Sequence, residues 1–165
     1  MIHDVANYYD QSYNDPHHII ASSAPSEDQH DNPWLNAAIL SAQQKSGVDI
    51  QKFTRALSRI TATRSSARCA RSIRIALQTA GAKIISHPIA ASDWGGTLEQ
   101  IGYKEINPAF DNPQKGDIYI IHRTASHTYG HIAGYSGSQW ISDFRQSSHD
   151  VYRDSNVTYS YYRLI

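Results

Sequence analysis

The spacing of apolar residues changes at Gly81, and this change constrains the fold more than any other feature of the sequence. From residue 33 to Gly81, apolar residues recur every three or four positions, which is typical of amphipathic helices. After it, short apolar runs are separated by glycine- and proline-containing turns, which is typical of β-strands. Because the helical part precedes the strands, the pattern predicts an α+β protein with helices packed on an antiparallel sheet.

The length of 165 residues favours one folded domain, preceded by an arm. Residues 1–32 are rich in Asp, Asn, His, Ser and Tyr and show no sustained period, so we expect an irregular N-terminal arm. The single domain is expected over residues 33–165. Its helical part is predicted in residues 33–80 and its sheet part in residues 83–165.

Two helices are predicted before the only cysteine of the chain. The first begins at Asn32, with Pro33 at its first helical position, and ends near Gly47. The second is capped by Asp49, whose side chain is suited to accept a bond from an otherwise unpaired amide. One face of this second helix is apolar and consists of Ile50, Phe53, Leu57 and Ile60.

A third helix is predicted to carry Cys69 in its first turn. Either Ser65 or Ser66 is a suitable N-cap, and Gly81 is a suitable C-terminal stop. The helix dipole favours the thiolate at such a position, although a lone cysteine is also typical of a buried core. The apolar face consists of Cys69, Ile73, Ala76, Leu77 and Ala80.

The second half of the chain predicts a short helix and several strands. Residues 92–103, which are flanked by glycines, predict a short helix or turn, and residues 83–85 are a weak strand candidate. The near-continuous apolar character of residues 118–122 suits a buried central strand. Further strands are predicted over residues 130–135, 139–144 and 157–164, the first two of them joined as a hairpin.

Two polar residues of this hairpin are able to complete a catalytic site with Cys69. With the turn centred near Gly137, His131 and Asp143 are expected side by side on one face of the sheet. A carboxylate there would hold the imidazole in one tautomer and orientation, and its other nitrogen would meet the thiol. Taken singly, His131 is also typical of a core histidine and Asp143 of a surface carboxylate. Together with Cys69 they form the set that a thiol protease-type site requires.

Five motifs follow one another over roughly residues 61–165. They are Ser-Ser-Ala-Arg-Cys-Ala-Arg-Ser-Ile-Arg, Asp-Trp-Gly-Gly-Thr-Leu-Glu-Gln-Ile-Gly-Tyr, Gly-Asp-Ile, Gly-His-Ile-Ala-Gly-Tyr and Trp-Ile-Ser-Asp-Phe. In this order they resemble the NlpC/P60 and CHAP superfamily of papain-like peptidoglycan amidases and endopeptidases. The resemblance is greatest to the cell-wall amidase effectors delivered by type VI secretion.

This resemblance implies a papain-like NlpC/P60 fold in which Cys69 is the nucleophile, His131 the base and Asp143 the orienting residue. It implies a cysteine peptidoglycan hydrolase that cleaves an amide bond in the stem peptide and needs no cofactor. An antibacterial effector of this kind is also expected to have a cognate immunity protein. Substrate contacts are expected from Trp94, Arg68 and Tyr129, although core packing or a solvated helix face would also account for them.

Charge and hydropathy exclude several other partners. The formal net charge is zero, so nothing in the sequence indicates capture by nucleic acid or by an acidic membrane. No apolar run is long enough to insert into a membrane. The N-terminus lacks the basic start and apolar stretch of a signal peptide, so we expect synthesis in the cytoplasm. A dedicated machine would then export the protein into the periplasm of a target bacterium.

Two alternatives remain open from the sequence. His122, His127 and His131 lie within ten residues, with Asp143 and His149 nearby, which is compatible with a zinc hydrolase or a metal-binding module. Against a metal site, the four-residue step from His127 to His131 suits a helix, whereas this stretch predicts loop and strand. The other alternative is a catalytically inactive papain-like fold that serves for binding.

Overall fold

The computed structural model describes residues 47–165. This part begins with the helices α1 (Ile50–Ser58) and α2 (Cys69–Thr79), followed by a 3-10 helix (Ala91–Asp93) and α3 (Gly95–Gln100). The strands are β1 (Tyr103–Ile106), β2 (Ile118–Ile121), β3 (His131–Tyr135), β4 (Trp140–Ile141) and β5 (Tyr159–Leu164). The predictions for the arm of residues 1–32 and for the helix beginning at Asn32 lie outside the described residues.

The five strands of the described part form one antiparallel sheet in the order β1-β5-β2-β3-β4. Helices therefore precede an antiparallel sheet, and the predicted α+β class is confirmed. β2 lies at the centre and every one of its residues is buried, as its apolar run predicted. The edge strand β1 was not predicted, because the middle of its Tyr-Lys-Glu-Ile sequence is polar and exposed.

Side chains of the central strands alternate between two differently built faces. On one face, aliphatic residues such as Ile120 and Ile132 pack against the apolar faces of α1 and α2. On the other face lies a second cluster that is mostly aromatic, and loops cover it. The residues of this second cluster that are buried are Tyr119, Ile121, Ala133, Trp140 and Tyr161.

Helix α1 approaches β3 closely because Gly134 has no side chain. A Cβ atom at Gly134 would lie 2.8 Å from Leu57 Cδ1 and 2.9 Å from Phe53 Cζ. Leu57 and Phe53 are themselves fully buried. Complete burial of such a side chain stabilises a fold by about 1.5–3 kcal/mol, so this contact fixes the helical layer on the sheet. Helix α2 packs on the same strand.

The sequence pattern predicted the N-terminus of α1 and the C-terminus of α2 correctly, but not the N-cap of α2. Asp49 Oδ1 accepts a hydrogen bond from Lys52 N at 3.0 Å, so the predicted cap of α1 is confirmed. Gly81 follows α2 with a φ of +96°, a conformation that suits a glycine after a helix. The N-cap of α2 is Arg68, which makes no side-chain capping bond, so the prediction of a serine cap is wrong.

Two predicted strands differ from the structure. Residues 83–85 form no strand, and the strand expected over residues 139–144 is reduced to β4. β4 ends early because the chain reverses: Ser142 N donates to Phe144 O at 3.0 Å, and Ile141 forms a β-bridge with Arg145. The short helix predicted within residues 92–103 is confirmed by α3. Within residues 47–165, no helix has the length and apolar character needed to cross a membrane.

Candidate active site

Cys69 is the first residue of α2 and is buried, with 5% of its surface exposed. The backbone just before α2 is attached to the chain reversal that follows β4. Arg145 N donates to Ala62 O at 2.9 Å, and the Arg145 guanidinium donates to Ile60 O at 2.9 Å. The start of α2 therefore lies beside residues 142–146, next to the strand that begins with His131.

The His131 ring is held by Gln146, a residue that the sequence analysis did not single out. His131 Nε2 lies 2.8 Å from Gln146 Oε1, and both side chains are buried. The amide nitrogen of Gln146 donates to Ser148 O at 2.9 Å and to the Tyr119 hydroxyl at 2.8 Å. Because a backbone carbonyl only accepts, the amide nitrogen must face Ser148 and the amide oxygen must face His131.

This arrangement fixes the tautomer of His131. The Gln146 oxygen is an acceptor, so the proton of the neutral imidazole resides on Nε2. Nδ1 is then the unprotonated nitrogen and has the lone pair that a general base needs. An uncharged amide thus supplies the orientation that a carboxylate was expected to supply.

Tyr119 extends the network of His131 and Gln146. Its hydroxyl accepts from Gln146 and donates to His149 O at 2.9 Å. Burial raises the pKa of Tyr119 well above its usual value, and an electrostatic interaction with Cys69 makes a smaller contribution in the same direction. The tyrosine is therefore neutral at ordinary pH, and its hydroxyl both donates and accepts in this network.

Asp143 binds the loop before Cys69. Its Oδ2 accepts from the backbone N–H and the hydroxyl of Ser66, from Ser65 Oγ at 3.3 Å and from Arg68 N at 3.3 Å. Its Oδ1 accepts from Ser142 Oγ at 3.1 Å. Burial by itself would raise the pKa of Asp143, but the bonds from Ser66 and Arg68 outweigh it and hold that pKa below its usual value. The carboxylate is therefore ionised at neutral pH.

The predicted pairing of His131 with Asp143 across the hairpin is wrong. Tyr135 pairs with Trp140, one position later along the chain than a turn centred on Gly137 would give, and the ladder ends at Ile141. A slip of one residue exchanges the two faces of a strand, and the reversal after Ile141 carries Asp143 out of the ladder. The hydrogen-bond partner of His131 Nε2 is therefore Gln146 Oε1.

The three expected substrate contacts fall in different places. Trp94 is fully buried and donates from Nε1 to Pro88 O at 3.0 Å, so the prediction that it lines a groove is wrong. The sequence around Trp94, with Asp93 before it and two glycines after it, gave no sign of whether the ring faced the core or the solvent. Arg68 is exposed immediately before Cys69, and Tyr129 is half-buried with its carbonyl bonded to Ser92 N at 2.9 Å.

Comparison with known proteins identifies the family. No protein-family model and no curated protein matches the chain. Among solved structures, it matches the native type VI effector–immunity complex Tae3–Tai3 from Ralstonia pickettii. In that match the sequence identity is 32%, the TM-score is 0.61, and 71% of this chain and 99% of the other are covered. The selenomethionine form of the same complex matches with 30% identity, a TM-score of 0.59 and coverage of 68% and 99%. This chain belongs to the Tae3 family of type VI effectors.

The papain-like α+β fold that the sequence implied is also that of the Tae3 neighbours, and this prediction is confirmed. The similarity covers nearly the whole of the matched chain, so it is not limited to a shared sheet. This Tae3-family chain therefore shares both its architecture and a substantial part of its sequence with a type VI effector.

The histidine cluster proposed as a metal site does not form in the described part of this Tae3-family chain. His122 Nε2 lies 2.7 Å from Ser160 Oγ, and His127 Nδ1 lies 3.2 Å from Asp154 Oδ1. His131 has Gln146 as its Nε2 partner. Within residues 47–165, no group of three or more His, Cys, Asp or Glu side chains is arranged to hold a metal ion.

An open groove with a volume of about 510 Å³ adjoins the His131 network, and Gln146 is part of both. His149 stacks on Phe110 in this groove, with a ring separation of 3.8 Å, and burial lowers the pKa of His149. The groove is therefore lined by aromatic rings and by neutral amide and hydroxyl groups. The lining residues are Phe110, Pro113, Tyr135, Ser138, Gln139, Trp140, Gln146, Ser147, Ser148 and His149.

Proposed function

We propose that this Tae3-family chain is a cysteine peptidoglycan hydrolase of the NlpC/P60 type. In this proposal it cleaves an amide bond in the stem peptide of the bacterial cell wall and acts as an antibacterial effector. The observation that carries the proposal is the orientation of His131 by Gln146 on the strand against which the Cys69 helix packs. The similarity to a type VI effector supports the same conclusion.

In the first half of the reaction, His131 Nδ1 takes the proton of the Cys69 thiol, and the resulting thiolate attacks the carbonyl carbon of the stem-peptide amide. A C–S bond forms, and an electron pair of the carbonyl moves to its oxygen. Cys69 is the first residue of α2, so its backbone amide lies at the start of the helix. That amide is the proposed oxyanion donor, a type of contact worth about 3–4 kcal/mol in the transition state.

Collapse of this intermediate breaks the C–N bond. His131, protonated at Nδ1, gives that proton to the leaving nitrogen, and a thioester to Cys69 remains. A water molecule then gives a proton to Nδ1 and attacks the thioester carbon. The C–S bond breaks, the thiolate returns, and the product leaves as a carboxylic acid that loses its proton to the solvent. Gln146 accepts from Nε2–H throughout, so the ring keeps one orientation in both halves.

The groove beside Gln146 is the proposed binding surface for the stem peptide, in place of Trp94. Peptide groups and small apolar side chains suit its aromatic rings and neutral hydrogen-bonding groups. A cognate immunity protein is the second proposed partner, because the matched structures are effector–immunity complexes. The proposed place of action is the periplasm of a target bacterium.

The proposal is tested by digesting purified peptidoglycan and identifying the released muropeptides by mass spectrometry. The wild-type chain should release fragments with a new amine and a new carboxylate at one stem-peptide bond. Cys69→Ala and His131→Ala should release none, because one lacks the nucleophile and the other the proton carrier. The matched control is His122→Ala. The His122 side chain is hydrogen-bonded to Ser160 and has no role in the proposed reaction.

Folding of each variant is checked by circular dichroism and thermal unfolding. Release of the same muropeptides by Cys69→Ala would exclude the thiol mechanism. Loss of release on treatment with a chelator, with Cys69→Ala fully active, would instead indicate a metal hydrolase.

A further inference from the structure

The loop before Cys69 adopts an unusual backbone conformation. Ala67 has a φ of +57°, and within residues 47–165 it is the one residue other than glycine with a positive φ. Such a conformation is unfavourable for alanine because its Cβ approaches the following carbonyl. It therefore persists only when neighbouring contacts stabilise it. Ala67 lies two residues before the proposed nucleophile.

The contact that stabilises this conformation is the Asp143 carboxylate. The amides on either side of Ala67, those of Ser66 and Arg68, both donate to Asp143 Oδ2. Successive amides around a left-handed residue form a concave site that binds an anion. In this protein the anion is a side chain fixed at the chain reversal after β4, and the Ser66 hydroxyl adds a further bond at 3.0 Å.

Arg68 connects this anion site to the catalytic helix. It is the N-cap of α2, so the position of its amide determines where the helix begins and how Cys69 is presented. Oδ1 of Asp143 is bonded to Ser142, which prevents the carboxylate from rotating away from the loop. The low pKa of Asp143 is consistent with a permanently charged anchor.

We propose that Asp143 is a positioning residue that fixes the thiol and the backbone amide of Cys69 by binding the left-handed loop of residues 65–68. It acts through the loop, and it neither orients His131 nor touches the substrate. This inference rests on the proposed function, because it assigns Asp143 a role in that reaction.

The two possible roles of Asp143 predict different kinetics. Loss of an anchor for Cys69 should lower kcat and leave KM unchanged, because substrate binding in the groove does not use Asp143. The rate of Cys69 alkylation by iodoacetamide should keep its dependence on pH, because His131 and Gln146 stay in place. Loss of a residue that orients His131 would change that pH dependence, as His131→Ala should.

The main variant is Asp143→Ala, which should lower kcat by about 10–100-fold, since a misplacement of about 1 Å can cost about 100-fold. Asp143→Asn should retain most of the activity, because its carbonyl oxygen still accepts from the loop and its NH₂ group faces Ser142. Asp111→Ala, at an exposed position, is the matched control and should behave as wild type.

Two further variants change the loop without changing Asp143. Ala67→Gly should be as active as wild type, because glycine adopts a positive φ without steric cost. In combination with Asp143→Ala it should restore part of kcat. Ala67→Val should lower kcat with unchanged KM, because a β-branched residue strongly disfavours this conformation. These variants keep the inference testable if Asp143→Ala fails to fold.

Hydrogen exchange gives a readout that does not depend on the reaction. The Ser66 and Arg68 amides should exchange slowly in the wild type and much faster in Asp143→Ala. Wild-type kcat in both Asp143→Ala and Ala67→Val would overturn the inference, as would an alkylation profile shifted like that of His131→Ala. Retained muropeptide release in Cys69→Ala would overturn the proposed function itself, and the exchange measurement would still test the anchor.

Discussion

Gln146 illustrates how much of the candidate site depends on one uncharged residue. It accepts from His131, donates to Tyr119 and donates to Ser148 O, and it is almost fully buried. A carboxylate at this position would face the Ser148 carbonyl and leave it without a donor. The amide is the side chain that satisfies an N–H, a carbonyl and a hydroxyl together.

We expect Gln146→Ala to impair both activity and stability. The substitution leaves His131 Nε2–H without this partner in a buried environment and removes the donor to Ser148 O at the edge of the groove. Each unsatisfied buried group costs about 1–3 kcal/mol, so the free energy of unfolding should fall by at least that amount. Denaturant titration and muropeptide release measure the two effects. Gln100→Ala, at an exposed position of α3, is the control and should change neither.

The charge on Asp143 predicts how the stability of the fold depends on pH. Its pKa is lower in the folded chain than the usual value of about 3.9, so the ionised form is favoured by folding. This contribution is fully present above that usual pKa and is lost as the pH falls through the lower folded pKa. Asp143→Asn should therefore be less stable at neutral pH and show a flatter loss of stability below about pH 4.

Thermal unfolding at a series of pH values measures this difference. Asp154, whose pKa is also lowered, chiefly by a hydrogen bond from Thr124, should remain in both proteins so that its contribution cancels. Parallel curves for the wild type and Asp143→Asn below pH 4 would contradict the prediction.

Among the elements, those with a sustained apolar periodicity or a continuous apolar run were predictable from the sequence. Elements whose formation depends on tertiary contacts were not. α1 and α2 followed from apolar faces that recur every three or four residues, and β2 followed from a continuous apolar run. β1 was missed because its polar residues depend on pairing with β5. At the candidate site, the sequence singled out Cys69 and His131 only as residue types in the family order, and their catalytic roles remain a proposal.

The position of Asp143 could not be predicted, because it depends on where a strand stops. A pairing rule extended the hairpin to residue 144, whereas the reversal at Ser142 and the bridge from Ile141 to Arg145 end it at once. The same reversal brings Gln146 to His131. A glutamine carries no charge and belongs to no common catalytic motif, so the sequence offered no signal for it.

Two glycines should respond in opposite directions to substitution by alanine. Gly134→Ala would place a Cβ atom within 3 Å of Leu57 and Phe53 and push α1 away from β3. Overpacking of this kind costs about 1–3 kcal/mol. Gly96→Ala lies in α3 with open space around the new Cβ atom and should stabilise the chain by about 0.5–1 kcal/mol. Chemical denaturation compares the two, and equal effects would contradict this account of the helix–sheet contact.

At the scale of the whole molecule, the residues of the candidate site come from a helix, a strand and a chain reversal. α2 presents Cys69, β3 presents His131, and the reversal after β4 supplies both Asp143 and Gln146. The two supporting residues are only three positions apart but bind different partners. A shift of this short segment would therefore affect the loop before Cys69 and His131 together.

The last prediction concerns the effect of the whole protein on a living cell, and it rests on the proposed function. Murein lies outside the cytoplasm, so the chain should harm a Gram-negative host only when an added export signal directs it to the periplasm. Cys69→Ala should remove this toxicity at equal expression. Co-production of a cognate periplasmic immunity protein should remove it as well, and should protect Cys69 from alkylation if it covers the site. Viable counts and lysis after induction measure the outcome. Killing by the cytoplasmic form of Cys69→Ala would show that the target is not the cell wall.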